Sequence, residues 1–177
     1  LSAIANYVES LKDIDEEIVF IHAATLTIDK LIVQINQEDL YSSFSVNLFS
    51  VFCFVKHLIP IMISNNYGSF IFISSVVPKL QIPGTSIYST SKIALEQLSK
   101  QIVSEYSQFK IQSNVLRLGY FDSGLIKKMT PKIFGSVINR IPSKNLGSTS
   151  EIPEFIKLIV KSKYINGSVI SVDGGIS

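Results

Sequence analysis

Cysteine is nearly absent. Cys53 stands alone among 177 residues, so no disulfide can close within the chain, and a single thiol suits a reducing compartment. Its place in an apolar helical run marks it as a buried, inert side chain. Histidine is scarce too: His22 and His57 are the pair present, with no cysteine cluster beside them to give a zinc-ligand spacing, so no metal site is expected. Tryptophan is missing altogether. Charged residues make up 17% and the net charge is +2, which offers no basic patch for nucleic acid. The longest apolar stretch, Val46 to Ile63, is broken by Asn47, Ser50, Lys56, His57 and Pro60. It is expected to be a buried amphipathic helix and not a membrane span. No basic segment precedes an apolar one at the N-terminus, so no signal peptide is read and a soluble cytoplasmic protein is expected.

What is present is apolar, at 46%, and long enough for one domain with a sizeable core. No repeat, linker or low-complexity segment divides it. Helical spacing of Ile4, Tyr7, Val8 and Leu11 predicts a first helix over Leu1 to Leu11, and a polar turn with Asp13, Asp15, Glu16 and Glu17 leads to a strand at Ile18 to Ile21. A loop with a short helical turn spans Leu26 to Gln37. Asn36 then caps a long helix, Gln37 to Ser64, with acids in its first turn. Further along come a strand ending at Ser75, a loop from Val76 to Thr85, a helix from Ser86 to Phe109, a strand from Ile111 to Leu118, a helix opened by Ser148 and a closing strand over Ser168 to Val172. Alternating strands and helices predict an α/β fold, a doubly wound Rossmann-like parallel sheet covered on both faces.

The chemistry concentrates in Ser86-Ile87-Tyr88-Ser89-Thr90-Ser91-Lys92. Tyr88 and Lys92 are one helical turn apart on one face. An ammonium beside a phenol favours the phenolate, which predicts a lowered pKa for Tyr88 and a general acid/base near neutral pH. Ser75, at the C-terminal end of its strand, lies where open α/β sheets bind ligands. A Tyr-x-x-x-Lys pair by itself is ordinary on helices; its surroundings raise its meaning. With Asn47 upstream, the set resembles the active site of the short-chain dehydrogenase/reductase family, and the nearest look is to 3-oxoacyl-carrier-protein reductases. The resemblance runs from near the N-terminus to Val172-Asp173-Gly174-Gly175.

The resemblance implies an NAD(P)H-dependent oxidoreductase interconverting ketones and secondary alcohols. Tyr88 would exchange the proton, Lys92 would lower its pKa and bind the nicotinamide ribose, Ser75 would orient the carbonyl, and Asn47 would kink its helix and hold a relay water towards Lys92. Gly119 would allow close approach to the nicotinamide, the Phe121 backbone would meet the carboxamide, and Ser123 would replace a threonine hydroxyl. Gly124 to Gly147 would form a short helical substrate lid, where the residues alone also allow an ordinary surface excursion. A small-molecule carbonyl or alcohol substrate is implied, and a homodimer or homotetramer packed through the two long helices.

The chain also departs from the family pattern. Where the family has Asn-Asn-Ala-Gly after its strand, this chain has His22-Ala23-Ala24-Thr25. Ala23 falls at a cofactor-lining position, and His22 is expected to take over a structural hydrogen bond. A leucine, Leu118, replaces the proline before Gly119. The glycines, at 68, 84, 119, 124, 135, 147, 167, 174 and 175, form no phosphate-cradling turn after a strand. The first two βα units of the family order are therefore expected to be missing from this sequence, together with the residue that selects NAD or NADP. The departures leave open an alternative, a non-catalytic binding or scaffold module on the same fold.

Overall fold

The computed structural model describes every residue except 1, 15, 124, 125 and 127–129. Leu1 of the expected first helix, Asp15 of the polar turn and the opening of the expected lid therefore lie outside the described residues. Four parallel strands, β1 (Ile18–His22), β2 (Gly68–Ser75), β3 (Ile111–Leu118) and β4 (Val169–Val172), lie side by side in the order β1-β2-β3-β4. Register is continuous across the sheet: Phe20 opposes Phe70, Phe72 opposes Val115, and Leu116 opposes Ile170.

Alternation along the strands divides the core into two layers. Phe70, Phe72, Ile111 and Val115 point to one face, where α1 (Ser2–Glu9), α3 (Ser50–Ser64) and α5 (Ser86–Tyr106) supply Val8, Val51, Val55, Leu58, Leu95, Leu98 and Ile102. Ile71 and Leu116 point to the other, where α7 (Ile152–Lys161) supplies Ile159, Phe155 and Ile156. The chain also forms α2 (Gln37–Phe44), the short α4 (Val77–Leu80) and α6 (Pro131–Arg140); Val137 of α6 and Ile141 at its C-cap form a third apolar cluster with Ile126.

The long helix Gln37 to Ser64 begins as expected. Asn36 Oδ1 accepts from Asp39 N at 2.9 Å and Asp39 Oδ2 accepts from Asn36 N at 3.0 Å, a reciprocal cap. It is not regular, however: Ser45–Phe49 is a π turn between α2 and α3. By length and composition this helix could cross a membrane, yet Val51, Val55, Leu58, Ile59, Ile61 and Met62 are buried in the core. The second difference is α4, a short helix inside the loop expected over Val76 to Thr85. Buried polar residues also close the sheet. Asn114 Nδ2 donates to Ile165 O at 2.9 Å and its Oδ1 accepts from Ser168 N at 3.1 Å, fixing the Asn166-Gly167 turn beside β3.

Candidate active site

The C-terminal ends of β1, β2 and β3 converge on the first two turns of α5. Ser75 is the last residue of β2 and its Oγ accepts from Val77 N at 3.2 Å, within the turn that enters α4. Tyr88, half-buried, faces it from α5. Burial raises the Tyr88 pKa, and the Ser75 hydroxyl opposes that by hydrogen bonding to the phenol oxygen. Lys92 is almost wholly buried at 2% exposure; its Nζ lies 5.6 Å from the Tyr88 ring centroid and donates to Ile73 O at 2.9 Å. Burial brings the Lys92 pKa down from 10.5 to about 8.

The expected lowering of the Tyr88 pKa is thus corrected. Lys92 sits against the ring face and spends a hydrogen bond on a backbone carbonyl of β2, so desolvation of the phenol dominates. At neutral pH this side chain is a protonated phenol, a donor in waiting, and Lys92 remains mainly an ammonium.

Asn47, fully buried in the π turn, does something the sequence did not suggest. Its Oδ1 accepts from Leu26 N at 2.7 Å and its Nδ2 donates to Leu26 O at 2.9 Å, to Ser43 Oγ at 3.2 Å and to Ser91 Oγ at 3.1 Å. Ser91 in turn donates to Tyr88 O at 2.8 Å. The side-chain amide is therefore occupied in clamping the segment after β1 to the start of α5. It sits in the π turn that interrupts the helix, where the resemblance implied a kink.

Further back on α5, one turn beyond Lys92, Glu96 accepts from Arg117 Nη2 of β3 at 2.6 Å, from Arg117 Nε at 3.0 Å and from Ser74 Oγ at 2.7 Å. Burial pushes the Glu96 carboxyl up, and the Arg117 and Ser74 hydrogen bonds outweigh it to hold the group below its ordinary value. This ion pair locks α5 to β2 and β3 beneath the Tyr88 and Lys92 turn. Neither Glu96, Arg117 nor Ser91 stood out in the sequence. The one available signal was their spacing from Lys92, since Glu96 continues the face of Tyr88 and Lys92.

The remaining candidates divide. Ala23 is exposed just past β1, at the mouth of the same edge. Gly119 follows β3, and a Cβ there would meet Asp173 Cα at 2.6 Å, so close packing on the backbone after β4 by itself requires glycine. Phe121 is buried, its ring packed over Gly147, and its carbonyl accepts from Ser123 N at 2.7 Å. Ser123 is half-buried at the end of that turn. His22 is 5% exposed, and among the described residues the Val46 backbone alone pulls on its ring as a hydrogen-bond partner, against the desolvation that lowers its pKa. A cleft of about 530 Å³ lined by Leu31, Ile32, Val33, Pro78, Pro83 and Ser89 lies between the segment before α2, the loop after α4 and the start of α5, and none of Ser75, Tyr88 or Lys92 lines it. Among the described residues no cluster of three or more metal-binding side chains exists.

A sequence family described as enoyl-(acyl carrier protein) reductase matches residues 2–177. The chain belongs to the short-chain dehydrogenase/reductase family. It is 30% identical over 160 residues to the 3-oxoacyl-[acyl-carrier-protein] reductase FabG of Thermotoga maritima, covering 89% of this chain and 65% of that protein. The FabG reductase of Buchnera aphidicola subsp. Baizongia pistaciae is 31% identical over 159 residues, with the same coverage of 89% and 65%. The chain thus spans just under two thirds of the length of these curated relatives. In fold it is similar to a gluconate 5-dehydrogenase from Burkholderia cenocepacia J2315 solved in complex with NADP and tartrate, with a TM-score of 0.88 at 22% identity over 99% of this chain and 71% of that one.

Proposed function

We propose that the protein is an NAD(P)H-dependent oxidoreductase that interconverts a ketone and a secondary alcohol, with Tyr88 as the proton donor. The observation that carries this reading is the meeting of Ser75, Tyr88 and Lys92 at the C-terminal edge of the parallel sheet, where α/β folds bind ligands. Names borne by the family relatives, reductases of oxoacyl groups, point the same way.

A nicotinamide cofactor, when bound, supplies or accepts the hydride. The donor set present fits its nicotinamide and ribose end, since Lys92 has donors beyond the one given to Ile73 O. No glycine-rich turn for the pyrophosphate lies in this sequence. The protein's own part is the proton. Ser75 Oγ orients the substrate oxygen, the Tyr88 phenol gives its proton to that oxygen as negative charge develops, and the Lys92 ammonium stabilises the phenolate left behind. Alcohol oxidation runs the same transfer backwards. A cytoplasmic location and self-association accompany this reading as parts of the proposal.

Tyr88→Phe in the full-length protein tests it. Turnover should fall by about 100- to 10,000-fold, the usual contribution of a general acid, with nucleotide affinity by calorimetry nearly unchanged. Lys92→Ala should lose both. Undiminished turnover in Tyr88→Phe would falsify the assignment.

A further inference from the structure

Helix α5 grips the end of β2 at three successive residues. Tyr88, Lys92 and Glu96 stand four apart on one helix face. Tyr88 shares a hydrogen bond with the Ser75 hydroxyl, Lys92 Nζ donates to Ile73 O at 2.9 Å, and Glu96 Oε1 accepts from Ser74 Oγ at 2.7 Å. The first two contacts involve the groups that do the chemistry. Glu96 does not: both its oxygens are taken, Oε1 by Ser74 and by Arg117 Nε at 3.0 Å, Oε2 by Arg117 Nη2 at 2.6 Å. Arg117 Nη1 in turn donates to Ser171 Oγ at 3.3 Å. Ser74, Arg117 and Ser171 are register partners across β2, β3 and β4, so they form one polar row directly before the row that holds Ser75. Ser74 and Glu96 are buried, at 3% and 7% exposure. A buried ion pair is a poor way to gain stability, since an apolar pair of similar volume often serves as well or better. What an apolar pair cannot do is accept from the Ser74 hydroxyl.

We propose that Ser74 and Glu96 are positioning residues: their hydrogen bond fixes where α5 stands along β2 and so holds the Ser75 hydroxyl against the Tyr88 phenol. This rests on the reading of Ser75, Tyr88 and Lys92 given above and extends it. Ser75 is where the chain leaves the sheet. Val76 N still donates to Leu118 O at 3.0 Å, while Val77 N turns back to Ser75 Oγ at 3.2 Å. The direction of that hydroxyl follows the backbone at Ile73 to Ser75, and α5 holds the two residues before Ser75, one by its carbonyl and one by its side chain. Arg117 fixes the carboxylate in its turn, so Glu96 cannot shift unless β3 moves with it. Such alignment matters to a proton transfer, because a misplacement on the order of 1 Å costs about 100-fold in rate.

Ser74→Ala in the full-length protein removes this bond and leaves the Glu96–Arg117 pair in place. The Val77 amide reports on the Ser75 hydroxyl without any turnover, because it donates to Ser75 Oγ. By NMR it should exchange about tenfold faster, the worth of one hydrogen bond, while the amides of β3 keep their protection. With NADPH and ethyl acetoacetate as probes, kcat should fall by about 10- to 100-fold and KM for the ester should hardly change. A second variant serves if the carboxylate left without its serine unsettles the fold. Glu96→Leu with Arg117→Met replaces the ion pair by apolar side chains and, at the parental melting temperature, should show the same faster exchange and the same loss of kcat. Parental exchange at Val77 or a parental kcat in either variant overturns the proposal. Tyr88→Phe is measured beside them. If it keeps full turnover, the catalytic reading fails by itself, and the Val77 exchange alone then decides whether Ser74 and Glu96 hold Ser75.

Discussion

At the scale of single residues the site is ordered by what burial does to each polar group. Asn47 reaches Leu26, 21 positions earlier, and Ser91, 44 positions later, and so joins three segments with one amide. Asn47→Ala should cost about 1–3 kcal/mol, the range for leaving buried partners unsatisfied. Hydrogen exchange gives a local readout, because the Leu26 amide donates to Asn47 Oδ1 and should lose protection ahead of the core. His22 supplies a pH dependence. Its folded pKa of about 4 lies below the ordinary 6.5, so between these values the unfolded chain binds the extra proton. Stability therefore rises with pH across that window, is fully present above about 6.5 and is lost as the pH falls towards 4. The difference amounts to at most about 3 kcal/mol. Urea unfolding of His22→Phe should show a shallower loss between pH 6.5 and 4.5 than the parent protein; identical slopes would count against a buried neutral imidazole.

Elements carry the site as much as its side chains do. Helix α5 presents Tyr88 and Lys92 from its first turns and is held to β2 and β3 by Glu96, whose side chain and that of Arg117 are only 10% and 14% exposed. Removing one partner leaves a buried charge uncompensated, at a cost of about 3–5 kcal/mol, whereas replacing both by apolar residues is often neutral. Glu96→Gln should therefore lower the melting temperature clearly, and the double variant Glu96→Leu, Arg117→Met should recover most of it. A double variant as unstable as the single one would show that packing, not charge, is at stake. The junction of β3 with the segment after β4 makes a parallel case. A Cβ at Gly119 would lie 2.6 Å from Asp173 Cα, so Gly119→Ala must move backbone and should destabilise the protein even with no ligand bound.

For the whole molecule the sheet edges and the outer helix faces decide behaviour. Among the described residues β1 pairs on one side alone, with β2, and Ile21 on it is 43% exposed. An apolar strand with an open edge is a template for association. Residues 1–177 expressed by themselves should therefore be poorly soluble or partly molten; a sharp cooperative melt with micromolar NADPH affinity would refute this. On one helical layer, α3 and α5 flank a groove of about 880 Å³ lined by Leu48, Phe52, Ile59, Ile63, Leu98 and Ile102, with Phe52 half exposed. Lys56 and Glu105 also line it, one of each sign, as a self-complementary two-fold contact requires. A second copy of the full-length protein is the proposed occupant. Light scattering should report a dimer or tetramer, and Phe52→Glu should shift it towards monomer; a strict monomer at micromolar concentration would dismiss the proposal.

The sequence by itself determined the order and nearly the bounds of the strands and long helices. Apolar period and turn residues are properties of neighbours along the chain: Ile111–Leu118 was legible to the residue, as was the Asn36 cap. It also determined that Ser75, Tyr88 and Lys92 share one end of the sheet, because strand ends and helix starts follow from the same local pattern. Only the tertiary structure decided the π turn at Ser45–Phe49, the clamp Asn47 makes on Leu26, the Ile73 carbonyl that accepts a hydrogen bond from Lys92, and the burial of the His22 ring. It reversed the expected direction for Tyr88 and set the Asp173 backbone against Gly119. The physical reason is common to all of these. Hydrogen-bond partners and desolvation depend on which surfaces meet after packing, and groups tens of residues apart carry no mark of that meeting in the chain between them.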